Sequence, residues 1–64
     1  MKEINKRNRC PCCGMTEVFD YDICENCSWE NDPIQRDKPD LTGGANIMSL
    51  EEAKEAYKRG IEIR

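Results

Sequence analysis

The chain has 64 residues, 38% hydrophobic and 36% charged, with four aromatic residues and five cysteines. That length leaves no room for a multidomain enzyme, and ordering it costs roughly 1.5 kcal/mol per residue, which so small an apolar complement does not offset without a metal, disulfides or a partner subunit. The net charge of −3 is unevenly placed: residues 1–9 hold Lys2, Lys6, Arg7 and Arg9 against Glu3, whereas residues 15–40 hold eight acids against Arg36 and Lys38, so the middle of the chain should repel a phosphate backbone.

In chain order, residues 1–9 read as a basic amino-terminal arm, flexible or forming an edge strand, that leads into a single domain over residues 10–64. Cys10-Pro11-Cys12-Cys13-Gly14 is a turn: Pro11 fixes its own φ and Gly14 can close it with φ > 0. Residues 18–23 alternate with period two, which predicts a half-buried strand with Phe19, Tyr21 and Ile23 on one face and Asp20 and Asp22 on the other. Cys24-Glu25-Asn26-Cys27 is a second turn of the same length. Ser28-Trp29-Glu30 leads out of it as the returning strand of a hairpin, with Trp29 beside the cysteines.

Residues 31–48 carry Pro33, Pro39, Gly43 and Gly44 and predict a long surface loop. Loops of that length are uncommon unless functional or tied down, and Ile34, Leu41 and Ile47 are the candidate ties, with Asn46 bonding back into the loop. Ser49 and Glu52 form a capping box that starts a helix over residues 49–59. Leu50, Ala53, Ala56 and Tyr57 supply its apolar face and Gly60 stops it. Ile61 and Ile63 suggest a short terminal strand or a docked tail.

Cysteines at positions 10, 13, 24 and 27 form two C-x2-C hooks separated by ten residues. Each hook turns two thiolates to one side, and four soft ligands then converge as a tetrahedron. Met1 is followed by charge rather than by an apolar leader, which points to the cytosol, where thiols stay reduced and favour metal over disulfides. Zinc is the expected ion, with rubredoxin-type iron the alternative. Four protein ligands leave no open position for water, so the expected role of the metal is structural. Cys12 is left over, as a buried spectator, a substitute ligand, or an exposed thiolate whose pKa the metal lowers.

These residues resemble the bacterial and phage cysteine-rich CPCC domain. The resemblance is carried by Cys10–Gly14, by Tyr21-Asp22-Ile23-Cys24-Glu25-Asn26-Cys27-Ser28-Trp29-Glu30-Asn31-Asp32, by Gly43-Gly44-Ala45-Asn46, by Ser49–Ala53 and by Tyr57. Family members commonly have a proline inside the second hook and a phenylalanine before the tryptophan, where this chain has Glu25, Asn26 and Ser28. The resemblance implies a small metal-binding domain and no reaction. The expected fold is therefore a small metal-stabilised α+β domain: zinc-ribbon or rubredoxin-like knuckles at residues 10–14 and 24–28, a β-hairpin, a long loop and one carboxy-terminal α-helix.

Three functions compete. An enzyme would have to work without His, a phosphate-cradling loop or a serine elbow, leaving Asp20, Asp22, Glu30 and Asp32, which read more simply as solvated faces and turns. A nucleic-acid binder would rely on the basic arm against the acidic middle. The leading expectation is a non-catalytic module that binds another protein, an acidic inhibitor or adaptor of a nucleic-acid-acting partner, through Trp29, Glu30 and Asp32. Thiol redox chemistry at Cys12 is the remaining alternative. No stretch is apolar enough for a membrane span, and Tyr57, Ile61 and Ile63 could complete a core across a homodimer axis.

Overall fold

The computed structural model describes residues 8–64, so the basic arm apart from Asn8 and Arg9 lies outside the described residues. Strand β1 (Asn8–Arg9) pairs antiparallel with β2 (Glu17–Val18), with Asn8 opposite Val18 and Arg9 opposite Glu17. The Cys10 amide extends the ladder by donating to the Thr16 carbonyl at 2.8 Å. The first hook is thus the loop of this hairpin, and the edge-strand reading of the arm holds at its last two residues.

The alternating segment does not form the expected strand. Phe19 to Asp22 is a turn: the Asp22 amide donates to the Phe19 carbonyl at 3.1 Å, and the Phe19 amide donates to the Asp22 carboxylate at 3.0 Å. Tyr21 takes a left-handed φ of 65°. Aspartates bond readily to nearby backbone, and here that local bonding overrides the period-two pattern. Phe19, Tyr21 and Ile23 are exposed, and Val18 is the residue that enters the core. The returning strand reduces to an antiparallel bridge between Ile23 and Glu30, flanked by Cys24 N to Trp29 O and Asn31 N to Asp22 O, each 2.8 Å. A second short ladder therefore closes the second hook as the first ladder closes the first.

The 31–48 segment contains a helix that the sequence reading missed. Helix α1 (Pro33–Asp37) starts at Asp32, whose carboxylate accepts from the Ile34 amide at 2.9 Å, and Pro33 occupies the first helical position, where a missing N–H costs nothing. The segment is held by polar groups, not by Ile34, Leu41 and Ile47, all of which are exposed. Gln35, fully buried, donates to the carbonyls of Leu41, Asn46 and Met48 at 3.0–3.1 Å and accepts from the Asn46 amide and side chain. Asn46 in turn accepts from the Glu30 amide and donates to the Glu30 carbonyl, and the Asp32 carboxylate accepts from the Ala45 amide. Backbone polar groups inside a small protein must be bonded, and one glutamine satisfies four of them.

Helix α2 (Leu50–Arg59) carries the expected capping box, with Glu52 N to Ser49 Oγ at 3.1 Å and Ser49 N to Glu52 Oε1 at 2.9 Å, and ends at Gly60 with φ 72°. Leu50, Ala53 and Ala56 are buried, whereas Tyr57 lies partly exposed at the edge of that face. No terminal strand forms; Ile63 docks into the core while Ile61 stays exposed, and the Met48 amide donates to the Arg64 carbonyl at 3.0 Å. Ile63 thereby fills its own chain's core. No helix among the described residues is long and apolar enough to cross a membrane.

The core joins Cys10, Cys24, Cys27, Val18, Trp29, Leu50, Ala53, Ala56 and Ile63. Gly44 borders the polar network: a Cβ there would stand 2.8 Å from Asp32 Oδ2 and from Gln35 Cγ and Cδ. Both neighbours are fixed by buried hydrogen bonds and cannot move aside. Gly44→Ala is therefore expected to destabilise the fold by about 1–3 kcal/mol, as overpacking does; thermal melting of the metal-loaded protein checks it, and an unchanged midpoint would show that the network yields.

Candidate metal centre

The two hooks have the same local construction. Gly14 N donates to Cys10 O and Ser28 N donates to Cys24 O, both at 2.8 Å, and the donor residue has a left-handed φ in each hook, 70° at Gly14 and 75° at Ser28. Glycine takes that conformation freely, whereas a serine there costs about 1 kcal/mol or more. Amides two residues on face two of the sulfurs: Met15 N is 3.4 Å from Cys13 Sγ and Asn26 N is 3.4 Å from Cys24 Sγ. One sulfur of each hook thus receives a backbone dipole suited to a thiolate.

The hooks face one another so that the first cysteine of each approaches the second of the other. Cys10 Sγ lies 3.6 Å from Cys27 Sγ, and Cys13 Sγ lies 3.7 Å from Cys24 Sγ. All four sulfurs fall within 4.8 Å of one another. A tetrahedron with metal–sulfur bonds of about 2.3 Å has sulfur–sulfur edges of about 3.8 Å, whereas a disulfide would need about 2.05 Å. The four cysteines are therefore positioned to bind a metal ion. Three of them are buried and Cys13 is half-buried, so the ion would sit inside the core beside Trp29.

The thiols are not equivalent. Burial pushes Cys10 and Cys27 up. Burial acts on Cys24 in the same direction, but the Thr16 hydroxyl at 3.0 Å and the amides of Cys27 and Asn26 outweigh it and bring Cys24 down to about 6. Thr16, which the sequence reading passed over, is thus part of the site. Cys12 lies outside the four-sulfur set and is half-buried; burial pushes its thiol up to about 11, opposed by a hydrogen bond with Cys27.

The residues expected to meet a partner are distributed differently. Trp29 is fully buried in the cysteine cluster, and its indole Nε1 has no hydrogen-bond partner among the described residues. Asp32 is buried as the cap of α1, with its carboxyl held below the usual range chiefly by the Ala45 amide. Both are spent on folding and offer no outer surface; Glu30 alone of the three is partly open to solvent. Asp20 and Asp22 are exposed, the former paired with Arg36 at 3.1 Å. Tyr57 ties α2 to the second hook, its hydroxyl accepting from Asn26 Nδ2 at 3.1 Å. An open groove of about 330 Å³ lies along α2, lined by Met48, Glu52, Glu55, Ala56, Arg59 and Ile61.

Two short ladders, two cysteine hooks and a helix packed on the sulfurs define a small structural metal-binding module. The chain belongs to the cysteine-rich CPCC family, whose sequence profile matches residues 8–60. No curated protein matches it in sequence.

Cys24→Ser is expected to abolish tight metal binding and with it most of the roughly 10–16 kcal/mol that a four-sulfur zinc site supplies to folding. Cys12→Ser should retain both metal and fold. Metal content after gel filtration and far-UV circular dichroism check the pair; equal metal loss in the two variants would show that the ligand set is misassigned.

Proposed function

We propose that this chain is a structural zinc module that acts without catalysis by docking onto another protein. The observation that carries the structural half is the convergence of four cysteine sulfurs at tetrahedral spacing, which fills the coordination sphere of a zinc ion and leaves no position for a substrate or an activated water. Zinc is preferred to rubredoxin-type iron because its role here is to close a core, which needs no redox change. Iron-loaded protein would show thiolate-to-iron charge-transfer colour, and metal analysis of protein purified without added metal decides between the two.

The docking half rests on charge and size. Residues 15–40 carry a large excess of acids, and Asp20, Asp22, Glu25 and Asp37 are exposed on the described surface. An acidic surface suits a basic partner, including a protein that itself handles nucleic acid, and is opposed to direct phosphate binding. The expected result is that the metal-loaded protein passes through heparin at low salt and, when immobilised, retains a protein that survives nuclease treatment. Retention on heparin together with a shift of labelled DNA would instead make the basic arm the working element and reverse this reading.

A further inference from the structure

The turn at Phe19–Ile23 is built in a way that folding alone does not explain. Tyr21 sits at φ 65°, a conformation that glycine and asparagine adopt with less strain. Tyr21 is 57% exposed, so core packing does not select an aromatic residue there. Ile23, two residues on, is 66% exposed, and Phe19 is partly exposed at 37%. Three large apolar side chains thus stand on five consecutive residues.

The turn is also held rigid. Asn31, fully buried, donates from Nδ2 to the Phe19 carbonyl at 3.0 Å, while its amide donates to Asp22 O and its carbonyl accepts from Tyr21 N, each at 2.8 Å. A surface fixed before binding loses little entropy on binding. On and beside it are the acids Asp20, which pairs with Arg36, Asp22, which accepts from the Phe19 amide, and Glu30, which lies opposite Ile23 in the second ladder.

We propose that the turn Phe19–Ile23 is a docking face for a cationic segment of a partner protein, with arginine or lysine side chains laid against Tyr21 and their charge met by Asp20, Asp22 and Glu30. The inference rests on the protein-docking reading above and adds where the partner sits and what chemistry it carries. Aromatic faces attract cations, and neighbouring carboxylates add to that attraction.

The test titrates the ¹⁵N-labelled, metal-loaded chain with a deca-arginine peptide at low salt. Shifts should concentrate on residues 19–23 and Glu30. Tyr21→Gly should weaken binding by about threefold to fivefold, the value of one cation–aromatic contact, while the metal is kept and the melting temperature holds or rises because the strained backbone is relieved. Tyr21→Asn, which tolerates the same φ, should give the same loss. Equal affinity in both variants overturns the proposal, as do shifts centred on α2 or concentration-dependent shifts at the turn without peptide, the mark of self-association. Those outcomes relocate or replace the occupant and leave the protein-docking reading standing; that reading fails separately, if the immobilised chain retains only nucleic acid.

Discussion

Everything in this fold is arranged around the approach of two cysteine pairs to the spacing at which one metal ion can be held. Three of the nine hydrophobic core residues belong to that set of four cysteines, so the sulfurs are at once the candidate metal site and a third of the apolar interior. Beyond the sulfurs this chain buries only Val18, Trp29, Leu50, Ala53, Ala56 and Ile63 among the described apolar residues, a small interior to set against its ordering entropy. Four thiolates crowded together would repel one another and a cation between them reverses that, which makes the least favourable feature of the bare chain the most favourable one of the loaded chain. The amides and the Thr16 hydroxyl that face the sulfurs are the second layer of the same device.

A comparable economy holds the rest together. The segment between the second hook and α2 has few apolar residues to bury, and the chain organises it with amide side chains instead. Gln35 and Asn46 link α1, the 41–48 stretch and Glu30 of the second ladder into one bonded unit. Such a network is directional, so it specifies a single arrangement where a hydrophobic contact would accept several. It also accounts for Gly44, which passes too close to Asp32 and Gln35 for a side chain, whereas Gly43 is called for by its left-handed φ of 73°.

The parts legible in the sequence were those written in short-range chemistry. Cysteine spacing gave the hooks, and Ser49 with Glu52 and Gly60 gave both ends of α2. Pattern reasoning failed where local bonding competed with periodicity. Asp20 and Asp22 looked like the wet face of a strand and are turn residues; Ile34, Leu41 and Ile47 looked like anchors and are exposed. Gln35 carried no signal at all, because a glutamine becomes an anchor only when remote carbonyls are brought to it. Trp29 and Asp32 read as a surface because aromatic and acidic residues together resemble one, but each is consumed by its neighbours, the indole by the sulfur cluster and the carboxylate by the start of α1.

The hooks share one backbone but not one residue at its left-handed position, glycine in the first and serine in the second. Gly14 would keep its geometry with little encouragement, whereas Ser28 is held against its own preference by the bond from its amide to the Cys24 carbonyl, at the end of the hook that Cys24 and Cys27 anchor. Departure of the ion should therefore not leave two intact half-sites waiting for its return. The second should lose its geometry before the first, and Trp29, which follows Ser28, would lose its seat against the sulfurs with it.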